Sequence, residues 1–115
     1  MGATSAVVVE PEVERGRIAR EVAAAVRRTM SDTHPAGADN ESRFAAVEAL
    51  VDRLGDLSSD PGCPAPLARR LLAGRDRLAS HVLAARTLDD IGATPEAVAG
   101  LLVRGVVDAA DDLAA

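Results

Sequence analysis

A chain of 115 residues suffices for one compact unit and leaves no room for separate catalytic and regulatory lobes. Hydrophobic residues make up 48% and charged residues 27%, yet Phe44 is the only aromatic residue and all 13 basic residues are arginine. These counts exclude a Schiff-base lysine, a lysine-bearing phosphate loop, aromatic base stacking and an aromatic ligand cage, and a net charge of −5 sets no field toward phosphate backbones or anionic lipid.

The N-terminal segment, residues 1–10, holds the short apolar run Ala6-Val7-Val8-Val9 and is expected to form an arm ahead of a single helical domain, residues 11–115. It lacks a basic segment followed by a long apolar stretch, so export is not expected. The first helix begins near Pro11, which suits a first helical position, and runs to about Met30. Ile18, Val22, Ala25 and Thr29 recur along it at helical spacing, while Gly16 costs up to about 1 kcal/mol relative to Ala. Residues 31–40, from Ser31 through His34-Pro35 to Asn40, are turn chemistry throughout and read as a loop.

Asp39 or Asn40 is placed to cap the second helix, whose stripe is Phe44, Val47, Val51 and Leu54, widened by Leu50 and Leu57. It ends near Leu57 to Ser59, before the proline-stiffened loop of residues 60–66. The third helix is the longest, Pro66 to Ile91, with the core stripe Leu67, Leu71, Gly74, Leu78, Val82 and Ala85. Gly92 follows where a left-handed cap belongs. Thr94-Pro95-Glu96 then supplies a capping hydroxyl, a first-turn proline and an acid facing the positive helix end. The fourth helix runs to about Leu113 and is apolar nearly all round over Val98, Leu101, Leu102, Val103, Val106 and Val107. Such a helix is expected to bury more than one face.

Net charge alternates in sign between residues 1–30, 31–60, 61–90 and 91–115, beginning positive. Short loops and alternating sign together predict an all-α, up-down four-helix bundle with a long third helix. Exposed pairs are worth only about 0–1 kcal/mol each, so the alternation favours register more than stability.

Chemistry-bearing residues are few. Cys63 is the lone cysteine and lies just ahead of the third helix, where backbone N–H groups can lower a thiol pKa, so it is a candidate switch or nucleophile. It has no resolving cysteine, and its commoner role is that of a small residue in a braced loop. His81 shares a heptad line with Leu67, Gly74 and Leu88, and Gly74 leaves space beside its ring, so in a dimer two copies of His81 could meet as a pH switch or metal pair. The bland alternative is a half-exposed histidine flanking a stripe centred on Val82. His34 reads as a solvated loop residue.

Two histidines and one cysteine, widely spaced, make no metal motif, and no cofactor is implied. The adjacent acids Asp89-Asp90 and Asp111-Asp112 point about 100° apart on a helix and form no di-iron set. Arg69, Arg70, Arg75 and Arg77 make a basic patch at the start of the third helix, expected to pair with the acidic second helix or the Asp-rich fourth.

Leu88 to Leu102 is similar to the turn and second helix of a helix-turn-helix, which makes a transcriptional regulator one alternative. The would-be recognition helix offers only Glu96 and Arg104, however, where DNA readers normally present several cations, so nucleic acid is disfavoured as a partner. Ala73 to Ala79 is similar to a stretch in the small helical subunit of cobalamin-dependent diol dehydratases, with flanking residues that depart from that family's pattern. A small accessory subunit of a larger enzyme complex is the corresponding alternative. Leu113-Ala114-Ala115 resembles the end of bacterial degradation tags, which would imply regulated turnover.

No constellation supports catalysis. The residues point to a cytoplasmic protein–protein interaction module that self-associates, without membrane insertion, through helix four and part of helix three. The expected interface is Leu101, Val103, Val106 and Val107, with Gly100 and Gly105 allowing a neighbouring helix close approach.

Overall fold

The computed structural model describes residues 11–33 and 39–114, which form four α-helices: α1 (Pro11–Thr33), α2 (Asn40–Ser58), α3 (Ala65–Asp90) and α4 (Pro95–Ala114). The described residues contain no strand. The expected N-terminal arm and His34 lie outside them.

Each helix ends for a local reason. The Asp39 side chain accepts a 2.8 Å bond from the Ser42 N–H, which caps α2. At the end of α3, Gly92 takes φ +83°, its N–H reaches the Asp89 carbonyl at 3.1 Å, and the Ala93 N–H reaches that of Leu88 at 2.9 Å. This is the Schellman arrangement that glycine at this position permits. Thr94 Oγ1 then accepts from the Ala97 N–H at 3.2 Å and opens α4 behind Pro95.

α1 departs from expectation by continuing through Ser31-Asp32-Thr33. Its threonines satisfy themselves inside the helix: Thr29 donates to the Ala25 carbonyl at 2.9 Å and Thr33 to that of Thr29 at 2.6 Å. The last turn is closed from outside, where Arg43 Nε of α2 donates a 3.0 Å bond to the Thr33 carbonyl. A cation at a helix C-terminus opposes the negative end of its dipole, which accounts for an arginine that is almost wholly buried.

The core is aliphatic around one ring. Phe44, Val47, Leu54, Leu71, Leu78, Val98, Leu102 and Val106 expose no surface, and Ile18 joins them from α1. The α3 stripe reads as expected: Leu67, Leu71, Gly74, Leu78, Val82 and Ala85 are its buried residues. Arg86 of α3 stacks its guanidinium 4.3 Å above the Phe44 ring while holding Glu48 of α2 at 3.1 Å. Further ion pairs join α1 to α2 (Arg53 to Glu21, 3.1 Å) and α3 to α4 (Arg77 to Asp112, 2.9 Å). Arg17 ties the start of α1 to the loop after α2 through Asp60 at 3.0 Å.

Candidate functional site

The packing is uneven around the bundle. α4 lies against α3 along its length: Gly105 closes on Leu78 and His81, Gly74 faces Ala109 and Leu113, and Arg77 meets Asp112. The seam between α1 and α4 is the looser one, and a groove opens at each end of it.

One groove, of about 380 Å³, is lined by Ala19, Val22, Ala23, Val26 and Arg27 of α1, Leu67 of α3, and Ala110, Leu113 and Ala114 of α4. Arg27 is its only charged lining residue. The other, of about 360 Å³, is bounded by Thr33, Arg43, Pro95, Glu96, Ala99, Gly100 and Val103. Clefts of this size are common where helices pack, so the apolar lining of the first is its distinguishing property. By contrast, the cleft between α1 and α2 carries Glu21, Arg28, Asp32 and Arg53, and that beside Leu83 carries Glu48, Asp52 and Arg86.

Two stripes of equal spacing run beside the seam. On α1 they are Ala19, Ala23, Val26 and Met30; on α4, Val103, Val107, Ala110 and Ala114. Each follows the steps of four, three and four that keep residues on one helical face. Val107 is 42% exposed, Ala19, Ala23 and Ala114 are also exposed, and the rest are half-buried. The other exposed large apolar side chains, Val13, Leu83 and Ile91, stand singly, as is normal on protein surfaces.

The residues expected to form an interface on α4 divide between three directions. Val106 is wholly buried in the chain's own core. Gly105 is buried and makes its close approach within the chain, to α3, while Leu101 packs partly buried against the core. Gly100 and Val103 line the groove that Thr33 of α1 also bounds, and Val107 is exposed on the same stripe as Val103. The apolar surface is completed by α1, whose Ala19 and Ala23 give no signal in the sequence because alanine marks neither core nor surface.

His81 faces inward to its own chain. Its Nδ1 donates to the Arg77 carbonyl at 3.0 Å, and Nε2 lies 3.7 Å from Asp108 of α4. Asp108 also lies 3.7 Å from Arg104 Nε. The space beside the ring is provided by Gly105, not by Gly74 as the heptad line suggested.

Cys63 is not activated by its place before α3. Burial pushes its thiol pKa up and Asp60 adds to the shift, outweighing Arg17. The sulfur points at the Pro64 carbonyl, 3.7 Å away. The basic patch is dispersed as well: Arg77 pairs with Asp112, Arg75 pairs with Asp76 and lays its stem against Gly55, and Arg69 and Arg70 form no ion pair among the described residues.

Among the described residues, no group of three or more histidines, cysteines or acids is placed to hold a metal, and no helix is long and apolar enough to cross a membrane. The chain matches no protein-family model, and no similar protein was found among curated sequences or solved structures.

Proposed function

We propose that the chain is an up-down helical bundle that works as a protein–protein interaction module, docking an apolar helical surface of a protein partner along its α1/α4 face, with a second copy of itself as the first candidate. The observation that carries this reading is the 380 Å³ apolar groove between α1 and α4, continuous with the two stripes beside it. An apolar face of this kind on a small chain gains free energy when covered, by roughly 25 cal/mol for each Å² removed from water.

The up-down reading is supported by the order of contacts along neighbouring helices. Arg43 and Arg53 of α2 meet Thr33 and Glu21 of α1, in reverse order, and Asn40 and Glu48 of α2 meet Asp89 and Arg86 of α3 in the same way. Side-by-side packing of α3 and α4 also favours an interaction module over a helix-turn-helix regulator, whose two helices cross at roughly 90–120°. A lone thiol fits a reducing compartment such as the cytoplasm.

A photoreactive side chain at Ala23 or Ala110, expressed in the native cell, tests the reading. The expected result is a protein adduct in high yield from both positions and none from Ala84, an exposed position on α3. Yields at Ala23 and Ala110 no greater than at Ala84 would overturn it.

A further inference from the structure

The α1/α4 face can be set against itself residue by residue. Numbered against each other in opposite directions, the two stripes match: Ala19 with Ala114, Ala23 with Ala110, Val26 with Val107 and Met30 with Val103. Small residues meet small ones at one end of the seam and larger ones meet at the other.

The flanks differ in charge: two arginines stand beside the α1 stripe, and Asp111 with Arg104 beside that of α4. Arg20 and Arg27 border the α1 stripe and Asp111 borders that of α4; all three are exposed, and none forms an ion pair among the described residues. In the same opposed numbering, Asp111 falls at a height between Arg20 and Arg27. Within one chain Asp111 pairs with neither arginine, although Arg27 lines the α1/α4 groove.

We infer that the occupant of the α1/α4 face is a second copy of this chain, related by a two-fold axis parallel to the helices. This inference rests on the docking reading and adds its partner and register. That axis lays each α1 against the partner's α4 at unchanged height, so both stripes pair as numbered and Asp111 enters between the partner's Arg20 and the partner's Arg27. A two-fold axis perpendicular to the helices would instead set α1 on α1 and α4 on α4, so that the flank arginines of α1 would face arginines. Arg104, the one cation on the flank of α4 beside Asp111, is drawn toward Asp108 of its own helix.

Size sets the strength. Two helices side by side, each ~10 Å across, along the roughly 30 Å of α4 present a face of about 600 Å². Stable interfaces bury about 800 Å² per partner, so this face lies at the low end of the size range, where weak and transient complexes sit.

Charge-reversed variants mixed together provide the test, read by sedimentation equilibrium. Asp111→Arg alone sets arginine against arginine, and the double variant Arg20→Asp/Arg27→Asp sets acid against acid. Each is expected to weaken self-association by at least ~10-fold, while an equimolar mixture forms a heterodimer within about threefold of the native affinity, because both contacts are then attractive. Weakened variants that fail to recover on mixing, or variants that associate like the native chain, overturn the register.

Disulfide trapping in a Cys63→Ser background gives a second readout that does not depend on those charges. Chains bearing Ala23→Cys and Ala110→Cys are expected to join to each other, and homodisulfides at either position in place of the mixed product contradict the axis. A native chain that is monomeric at high micromolar concentration removes the second copy as occupant. Adducts from Ala23 and Ala110 to a different protein would then leave the docking reading standing, whereas their absence would remove both.

Discussion

Gly105 of α4 lies directly against His81 of α3: a methyl group placed on Gly105 would stand 2.6 Å from His81 Cβ and 2.9 Å from Cγ. The obstacle is the stem of the histidine rather than its tip, so it cannot swing aside without a change at the helix itself. This contact sets how near α3 and α4 approach, and with Arg77–Asp112 and His81–Asp108 it fixes their relative height.

Gly105→Ala is accordingly expected to destabilise the fold by about 1–3 kcal/mol, although alanine is the better helix former by up to about 1 kcal/mol. Chemical denaturation measures this directly. The double variant Gly105→Ala/His81→Ala should recover only the smaller part of the loss, since it removes Cγ and the ring but keeps the Cβ against which the methyl group stands closest.

Phe44 is the largest wholly buried side chain, with Arg86 stacked on its face. Phe44→Ala is expected to cost about 3–5 kcal/mol through lost burial and the cavity left behind. A fall in the urea midpoint at unchanged slope would be the signature; near-native stability would place the core elsewhere.

Cys63 should react slowly. Burial and the neighbouring Asp60 raise its pKa, so at neutral pH it holds less thiolate than a free cysteine. The pH profile of alkylation is expected to have its midpoint above that of a free thiol. Asp60→Asn should move the midpoint downward, because it removes the negative charge that disfavours thiolate.

Acid should loosen the junction between α1 and the loop after α2. The Gly62 N–H and the Arg17 guanidinium hold the Asp60 carboxyl below its usual range, and the Ser42 hydroxyl and N–H do the same for Asp39. In acid the folded chain therefore binds fewer protons than the unfolded one, so these groups stabilise fully above the unfolded value near pH 4 and lose that contribution as pH falls. Thermal melting between about pH 5 and pH 2 should show a decline that is shallower in Asp60→Asn than in the native chain.

Much of the bundle is legible in the residues because its signals are local. Gly92 and Thr94-Pro95 mark a helix end and start by backbone chemistry alone, and the α3 stripe follows from spacing. The end of α1 is not set within its own helix: Ser31-Asp32-Thr33 stays helical because Arg43, 10 residues beyond Thr33 in α2, closes the last turn. The candidate site was half legible for the same reason. Val103 and Val107 announce themselves as apolar, but Ala19 and Ala23, which continue the face on α1, do not, and only the packing shows that these alanines stay exposed while Val106 and Gly105 are used within the chain. The heptad line of His81 carries no information about which helix lies opposite, and the packing sets it against Gly105 and Asp108 of its own chain.

Methyl resonances followed through a dilution series test the docking face most directly. As concentration rises through the micromolar range, the methyl groups of Ala19, Ala23, Val107 and Ala110 are predicted to shift together, while those of Leu83 and Ile91, more exposed and elsewhere on the surface, hold still. Shifts at Leu83 or Ile91 with a silent α1/α4 seam would contradict the account.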